Sequence, residues 1–518
     1  MQRVTQGGKR MAGRVPGKSE YDIVINNGRV IDPLTGFDGV ANVGIRDGRI
    51  ADIVSISHKL KGKKEIDASG LVVAPGFINV HSHATDIGKG GVELYIRDGI
   101  TTEISGNCGI FDFVDFSEFE KDAAKNGLIS NIATYVGHNA LRQAVGVPDN
   151  RTPANDAQLA DMINHVRQSM KDGALGVSFG PFYGPGATYD EMLALAKVAA
   201  EYGGCSASHV REGYTVADAV NSVNEGIRTA REAGVPFIIS HTGGGPTVMP
   251  KSSGPILEAV FEGLQEGLKL AVDFYGYDAF LTLMAAPVFD LPMETLNQLM
   301  ESQISDMEIP LTVLIDGQVY MEAGQRFSSI EQFQHIRQKV KSNEIPDPGL
   351  IGHLYKPSKL NFWMSCPLVM VENDCTMSID KITGKYAGHP KDSGAFAHFL
   401  GYWVREKGVC DLRTALARTS SMAATFLGLD KKGRIQVGCD ADITIFDANA
   451  ITDKSTYIAP GLPSEGIPYV IVNGVVVVDD GKFTEVRAGK PIKRNWAIPG
   501  EYPNLGKAPS LDMKDLAR

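Results

Sequence analysis

The stretch PGFINVHSH, residues 75–83, decides the fold, because in it a short apolar run is followed directly by two histidines separated by one residue. Side chains at positions i and i+2 of an extended strand project to the same face, so His81 and His83 can point at one ion. The run follows a Pro-Gly turn and precedes a long segment with a different pattern of apolar residues. We therefore take it as the first strand of a new structural unit.

Short apolar runs alternate with helical patterns from residue 76 to about residue 425. In one example, GALGVSFG at 173–180 is followed by TYDEMLALAKVAAEYGG at 188–204. Such alternation is typical of βαβ units and a parallel sheet, and it predicts a (β/α)8 barrel of the TIM type. A doubly wound open sheet is the alternative, but no GxGxxG turn of the dinucleotide-binding kind follows the first strand.

Both ends of the chain have strand-like alternation with turn signals, including Asn-Gly at 27 and 473 and Asp-Gly at 47, which predict hairpins. Each end alone offers few strands, so we expect one discontinuous β-sandwich built from both. In the segment 285–365 the alternation of strand and helix patterns breaks down, which predicts an inserted cap over the barrel mouth. The expected organisation is a flexible arm at 1–20, a sandwich of 21–75 with 430–495, a barrel at 76–429 and a surface tail at 496–518.

Composition excludes several classes of function. The 518 residues carry 51 Lys and Arg against 61 Asp and Glu, a net charge of −10, which argues against a dedicated nucleic-acid binder. Six sparse cysteines do not form a disulfide framework and favour a reducing, cytoplasmic location. No apolar run approaches the roughly 18 residues that a membrane-spanning helix needs. We expect a small-molecule substrate, and the sequence leaves the oligomeric state open.

Further metal-type side chains follow apolar runs. Cys108 ends TEISGNC with glycines at 106 and 109, His209 ends CSASH, and His241 ends FIISH. Because the carboxyl ends of barrel strands carry the active site, these side chains and the two histidines of the first strand are expected to meet. Five such residues suffice for one tightly bound ion and a second, weaker position.

A carboxylate near the last barrel strand is the candidate general base. Asp380 follows the short run CTMSI, with His389-Pro390 nine residues later, and Asp374 is the alternative. A positioned carboxylate can take a proton from an activated water and return it to a leaving nitrogen.

These motifs resemble the amidohydrolase superfamily, in PGFINVHSH and in GRIQVGCDADITIFD at 433–447. Within it, the chain resembles the N-acyl-D-amino-acid deacylases from about residue 21 to 495. The resemblance rests on GNCG at 106–109, PFYGPG at 181–186, REAGVPFIISH at 231–241, SIDKITGKYAGHP at 378–390 and TYIAPGLPSEGIPYVIVNG at 456–474.

The resemblance implies a zinc-dependent hydrolase of linear amides. Cys108, His209 and His241 would hold a tightly bound zinc, His81 and His83 would face a second metal position, and Asp380 would be the acid/base. Zinc lowers the pKa of a bound water to about 7, so hydroxide becomes available to attack the amide carbonyl at neutral pH. The expected products are a D-amino acid and a carboxylate.

Two departures from the family pattern concern the substrate contacts and the acid/base. Family members commonly carry a lysine for the substrate carboxylate two residues after the histidine corresponding to His241, where this chain has Gly243. Other side chains would have to replace it, and the candidates are Arg211, Tyr183, Tyr275, Tyr277 and His389. An SDG-type triplet is also usual where this chain reads SIDK at 378–381.

Two other functions stay open at this point. A cyclic amidase of the hydantoinase or dihydropyrimidinase type would also tolerate the missing lysine. A non-catalytic metal-binding scaffold is disfavoured, since the chain keeps both the candidate ligands and a candidate proton-transfer group.

Overall fold

The structure is a computed structural model, and it describes residues 20–83, 92–242, 251–376 and 378–494. The predicted arm, apart from residue 20, and the predicted tail at 496–518 lie outside these residues. Among the described residues, no helix combines the length and the apolar character needed to cross a bilayer.

The central unit is a barrel sheet of eight parallel strands, each paired with its neighbour in chain order. Barrel strands 1 to 8 are Phe77–Asn79, Ile100–Ser105, Asn131–Gly137, Gly176–Phe179, Cys205–Ser208, Phe237–Ile239, Leu270–Phe274 and Val369–Val371. The first and last strands meet just beyond their carboxyl ends, where Ser82 and Cys375 form a parallel bridge. There the His83 amide donates to Cys375 O at 3.1 Å and the Asp374 amide donates to His81 O at 3.0 Å. The predicted TIM-type barrel is confirmed.

Helices cover the outside of this sheet, and several of them begin at a residue whose side chain caps the first turn. Thr188 and Thr215 accept backbone N–H groups at the starts of Tyr189–Glu201 and Val216–Ala233. The second of these helices ends at Gly234 in the left-handed conformation. The remaining helices around the barrel are Val92–Arg97, Phe116–Asn126, His138–Ala144, Asp156–Asp172, Ser253–Gln265, Pro357–Ser365, Lys391–His398, Leu412–Leu416 and Met422–Leu427, with π-helical turns at Phe399–Glu406 and Ala417–Ser421.

The two ends of the chain form one mixed sheet of nine strands. They are Tyr21–Asp32, Phe37–Arg46, Arg49–Ser55, Gly62–Asp67, Val72–Pro75, Ile443–Phe446, Tyr469–Val472, Val475–Asp479 and Lys482–Phe483. Val72–Pro75 pairs with Ile443–Phe446 and joins the two halves, and the first strand forks because it pairs with three partners. The predicted discontinuous β domain is confirmed, with its strands hydrogen-bonded as a single forked sheet.

One predicted hairpin is wrong. Asn27-Gly28 does not end a strand: it lies inside Tyr21–Asp32, where the register shifts between Ile25 and Gly28. Asn27 has φ of 61°, and a β-bulge accommodates this left-handed residue without reversing the chain. The hairpins at Asp47-Gly48 and Asn473-Gly474 form as predicted.

A small subdomain is inserted between barrel strands 7 and 8. Its strands are Phe280–Thr282, Met307–Glu308, Val313–Ile315, Gln318–Met321 and Leu350–Gly352, and its helices are Met293–Met300 and Ile330–Lys341. It has its own apolar core, which includes Phe289, Ile309, Phe333 and Ile336, and Phe182 from a barrel loop joins that core. A two-stranded hairpin of Ser378–Ile379 with Tyr386–Ala387 follows barrel strand 8. We refer to residues 280–352 as the cap.

Candidate metal centre and catalytic site

The predicted metal-type side chains all lie just past the carboxyl ends of barrel strands. His81 follows strand 1, Cys108 follows strand 2, His209 directly follows strand 5 and His241 follows strand 6. These four are buried, and the fifth, His83, lies two residues after His81 and is partly exposed. The barrel brings all five together although they come from four strand ends that are far apart in sequence. This edge of a parallel barrel is where such folds place their chemistry.

Cys108 lies at the centre of the cluster. Its Sγ is 3.2 Å from His81 Nε2, 3.6 Å from His209 Nδ1 and 3.6 Å from His241 Nε2. Two ligands on one tetrahedral zinc, at about 2.3 Å for sulfur and about 2.0 Å for nitrogen, lie about 3.5 Å apart. These S···N separations fit donor atoms that share an ion. The ligand atoms of His81, Cys108 and His241 all lie within 4.8 Å of one another, a group that does not include His209.

The backbone at Cys108 is held in an unfavourable conformation. Cys108 has φ of 55°, and it lies between Gly106 at 82° and Gly109 at 72°. A Cβ on Gly106 would lie 2.5 Å from Tyr135 O, so this position needs glycine for space as well as for its left-handed conformation. Non-glycine residues in this region are costly and concentrate at functional sites, which agrees with a thiol that must be aimed at one point.

A second group of potential ligands shares His81 with the first. The ligand atoms of His81, His83 and Asp374 lie within 4.8 Å of one another. Asp374 Oδ1 is 3.3 Å from His83 Nε2 and 3.6 Å from His81 Nε2. Asp374 also has a left-handed backbone, with φ of 39°.

A buried lysine fixes the charge of Asp374. Lys391 is fully buried, and its Nζ lies 3.3 Å from Asp374 Oδ2 and donates to Asn373 O at 3.0 Å. Burial would raise the pKa of Asp374, but Lys391 and the two nearby histidines hold this pKa well below its usual range. Burial would lower the pKa of Lys391, but Asp374 and Asp392 raise it. Asp374 is therefore ionised at neutral pH.

Burial also sets the protonation of the histidines. It lowers the pKa of His81 to about 3 and that of His241 to about 4, so both imidazoles are neutral and can offer a lone pair. Burial raises the pKa of the Cys108 thiol, so a bound cation is needed to favour the thiolate. His209 Nε2 is buried without a hydrogen-bond partner among the described residues. This donor set suits a soft divalent ion.

The structure does not bring Asp380 to this cluster. Its Oδ2 accepts the Thr312 amide of the cap at 2.7 Å, and its Oδ1 accepts the amides of Ile382 and Thr383 at 2.8 and 2.9 Å. Burial opposes these bonds, yet they lower the pKa of Asp380 to about 2. Among the described residues of the CTMSI run, Ser378 and Ile379 form a strand, which pairs in an exposed hairpin, and Cys375 forms a single bridge to Ser82. Asp374, the alternative in the sequence, lies against the histidines instead.

An open cavity reaches the cluster and is also lined by side chains of the cap. Tyr183 and Tyr275 line it, as predicted for substrate contacts, together with Tyr355, His209 and Asp374.

The other three predicted substrate contacts have different partners. Arg211 Nε donates to Glu225 at 2.9 and 3.0 Å. Tyr277 OH donates to Asp453 at 2.9 Å. His389 Nε2 lies 3.1 Å from Ala279 O, and its Nδ1 accepts the Lys391 amide at 3.0 Å.

Sequence reasoning missed three side chains of this region. Asp273, on barrel strand 7, accepts the His241 amide and lies 3.7 Å from His81 Nδ1. Its signal was a single carboxylate inside the apolar run LAVDF. Lys391 pairs with Asp374, and Glu212 lines the cavity. Neither has a local sequence signal, because both roles depend on contacts between distant segments.

This barrel, with thiol and imidazole donors at its carboxyl edge and an ionised aspartate beside them, defines a metal-dependent hydrolase. Two family models, each described as "Amidohydrolase family", match residues 72–236 and 376–478. The chain belongs to the amidohydrolase family, which confirms the resemblance seen in the sequence.

Curated relatives match along nearly the whole chain. A D-aminoacylase from Alcaligenes xylosoxydans xylosoxydans is 28% identical over 510 residues, covering 92% of this chain and 98% of the relative. An N-acyl-D-glutamate deacylase from the same organism is 29% identical over 515 residues, covering 93% and 99%.

Solved structures with the same fold also match the chain along nearly its whole length. The N-acyl-D-glutamate deacylase from Bordetella bronchiseptica, complexed with zinc and a phosphonate mimic of the tetrahedral intermediate, superposes with a TM-score of 0.78. It is 26% identical, and the match covers 92% of this chain and 100% of that one. An L-hydantoinase matches with a TM-score of 0.56 at 15% identity, which shows the shared fold alone.

Proposed function

We propose that the protein hydrolyses the linear amide bond of an N-acyl-D-amino acid, giving a D-amino acid and a carboxylate. In this proposal Cys108, His209 and His241 bind zinc, and His81, His83 and Asp374 form a second, weaker metal position. The observation that carries the proposal is the position of the ionised Asp374 beside His81 and His83, at the opening of the cavity onto the cysteine and histidine donors. The deacylase relatives support the choice of substrate class.

The donor set supports zinc. One thiol and neutral imidazoles are the ligands that zinc prefers, and the S···N separations agree with a shared tetrahedral ion. When bound, zinc polarises an amide carbonyl and lowers the pKa of water, so that a nucleophile forms near neutral pH. Deprotonation of Cys108 would accompany binding, since burial alone keeps its proton on.

In this proposal Asp374, rather than Asp380, is the general acid/base. As an ionised carboxylate it can accept the proton that the attacking water gives up as its oxygen bonds to the carbonyl carbon. It can then deliver that proton to the nitrogen as the C–N bond breaks, so the amine leaves neutral. Lys391 keeps Asp374 charged before the reaction and fixes its position through the adjoining backbone carbonyls.

The substrate carboxylate needs hydrogen-bond donors, and tyrosine hydroxyls supply them here. Tyr275 OH lies 3.3 Å from Tyr355 OH, and Tyr183 OH lies 3.1 Å from Thr282 Oγ1. Burial raises the pKa of Tyr183 and Tyr275 well above 10, so these hydroxyls stay protonated. We propose that they bind the carboxylate, because Arg211 is fully engaged elsewhere.

The test is a hydrolysis panel with protein of defined zinc content. We expect turnover of N-acetyl-D-amino acids, slower turnover of the L-enantiomers, and little turnover of hydantoin or dihydrouracil. A preference for the cyclic compounds would favour the cyclic amidase alternative. Protein that holds zinc but cleaves none of these compounds would favour a non-catalytic scaffold. A cytoplasmic location stays a prediction from the sparse cysteines.

A further inference from the structure

A carboxyl group faces the cavity opposite the apolar side chains of the cap. Glu212 lies three residues after His209, in the segment that joins barrel strand 5 to the helix Val216–Ala233. It lines the cavity together with His209, His241 and Asp374. Neither the metal centre nor the proposed proton transfer uses this carboxyl.

The segment around Glu212 is fixed by contacts on its other side. Arg211 Nε binds the Glu225 carboxylate, and its guanidinium also donates to Pro185 O at 3.2 Å and to Ala187 O. The Tyr214 amide donates to Asp218 Oδ2 at 3.3 Å, just before the helix begins. Because Arg211 binds three other groups and does not line the cavity, Glu212 is the acidic side chain that this segment presents to it.

Among the described residues, no cation acts on the Glu212 carboxyl. The nearby cavity surface from the cap is apolar and includes Phe280, Leu281, Val288 and Phe289. None of the described residues that line the cavity is a lysine or an arginine. Burial raises the pKa of Glu212 to about 8, and only the Gly213 amide opposes this rise. Glu212 is partly buried, so its charged form is disfavoured without a cationic partner, and a ligand that donates to it would offset part of that cost.

We infer that Glu212 determines substrate specificity by accepting a hydrogen bond from a donor on the amino-acid side chain, an ammonium, a guanidinium or a carboxamide. The apolar surface of the cap would cover the aliphatic part of such a side chain. An ammonium or guanidinium would favour the ionised form of Glu212 against its raised pKa, whereas a carboxylate at the same place would oppose that ionisation. The inference rests on the proposed function and names its substrates: N-acyl derivatives of basic or amide-bearing D-amino acids, with acidic ones disfavoured.

The test compares two substrates that differ only in the donor. N-α-acetyl-D-lysine and N-acetyl-D-norleucine have the same aliphatic chain, and N-acetyl-D-glutamate serves as the acidic comparison. We expect kcat/KM to favour the lysine derivative over the norleucine derivative by about 10-fold or more, the effect of one charge-assisted hydrogen bond. Glu212→Gln should reduce that ratio to about 1 to 3 and should narrow the gap to the glutamate derivative. Glu232→Gln, an exposed change on the following helix, is the matched control and should leave the ratio unchanged.

The outcomes separate this inference from the function on which it rests. Turnover of the norleucine derivative by Glu212→Gln shows that the variant is folded and active. A lysine to norleucine ratio that is equal in wild type and Glu212→Gln would overturn the role of Glu212 and leave the proposed function standing. An equal loss of all three substrates in Glu212→Gln would overturn it as well. Failure of the wild type to cleave any of the three would overturn both proposals.

Discussion

Lys391 Nζ lies 3.3 Å from Asp374 Oδ2, and both residues belong to segments that follow the last barrel strand. Lys391 is the first residue of a helix, whereas Asp374 lies in the loop directly after the strand. Lys391 is fully buried and the Asp374 side chain is 13% exposed, so solvent screens the two charges little and each partner strongly affects the other. This pair explains how a carboxylate next to neutral histidines stays charged.

Replacing Lys391 with Met should shift the pH dependence of the reaction. Because Lys391 lowers the pKa of Asp374, its loss raises that pKa, and a smaller fraction of Asp374 is ionised at acidic pH. The acidic limb of kcat/KM should therefore move to higher pH. Lys391→Arg keeps the charge and should retain most of the wild-type profile. Breaking a buried pair costs about 3 to 5 kcal/mol of unfolding free energy, so thermal unfolding should be measured alongside. An unshifted profile in Lys391→Met would remove this role for the lysine.

Replacing Cys108 with Ser should lower zinc content. Cys108 Sγ contacts three imidazole nitrogens, so its loss removes the one anionic donor from that group. We expect turnover to fall by at least about 100-fold, in line with the loss of a catalytic metal or of one of its essential ligands. Elemental analysis of the purified variant gives the metal content. Cys410→Ser, a change at a partly buried cysteine far along the chain, is the control. Full zinc retention in Cys108→Ser would exclude the thiol from the ligand set.

Replacing Asp380 with Asn should affect stability rather than turnover. The folded-state pKa of Asp380, about 2, lies below the ordinary value of 3.8. A lowered pKa contributes stability above pH 3.8, and this contribution is lost as the pH falls towards 2. At neutral pH the loss should be at most about 2 kcal/mol. Urea unfolding at pH 7 and near pH 3 should show a smaller difference between variant and wild type at the lower pH. A constant difference would contradict the proposed electrostatic origin.

Replacing Arg211 with Met should make the loop at Pro185 and Ala187 less ordered. It should lower kcat/KM equally for substrates with and without a free carboxylate. The Arg211 guanidinium ties Glu225 to the carbonyls of Pro185 and Ala187, so the change should lower kcat/KM through disorder of that loop. We expect equal proportional losses for N-acetyl-D-leucine and for its methyl ester. A loss confined to the free acid would show that Arg211 binds the substrate carboxylate after all.

The fold was largely predictable because its signals are local. Apolar runs that end on polar residues mark the barrel strands, and the motif at 75–83 marks where the barrel starts. The hairpin predicted at Asn27-Gly28 was wrong because a left-handed Asn-Gly pair occurs in β-bulges as well as in hairpin turns. Nothing in the local pattern separates the two, since the outcome depends on which strands pair with Tyr21–Asp32.

The choice between Asp374 and Asp380 required the structure. Barrel strand 8 is only Val369–Val371, and the apolar run LVMV before Glu372-Asn373-Asp374 was its available signal. The later run CTMSI has an equally strand-like sequence. Its Cys375, however, forms only an isolated bridge to Ser82, beyond the carboxyl end of barrel strand 1. The partners of Asp374, namely His81, His83 and Lys391, come from segments up to about three hundred residues away, which no local pattern records.

The most direct test of the account compares Asp374→Asn with Asp380→Asn at equal zinc content, using initial rates on an N-acetyl-D-amino acid. The account predicts that Asp374→Asn stays folded and loses about 100- to 10,000-fold in kcat, the usual contribution of a general acid/base. It predicts that Asp380→Asn keeps kcat within about threefold, as expected for a residue away from the reacting atoms. Near-normal turnover in Asp374→Asn, with loss in Asp380→Asn, would contradict the assignment.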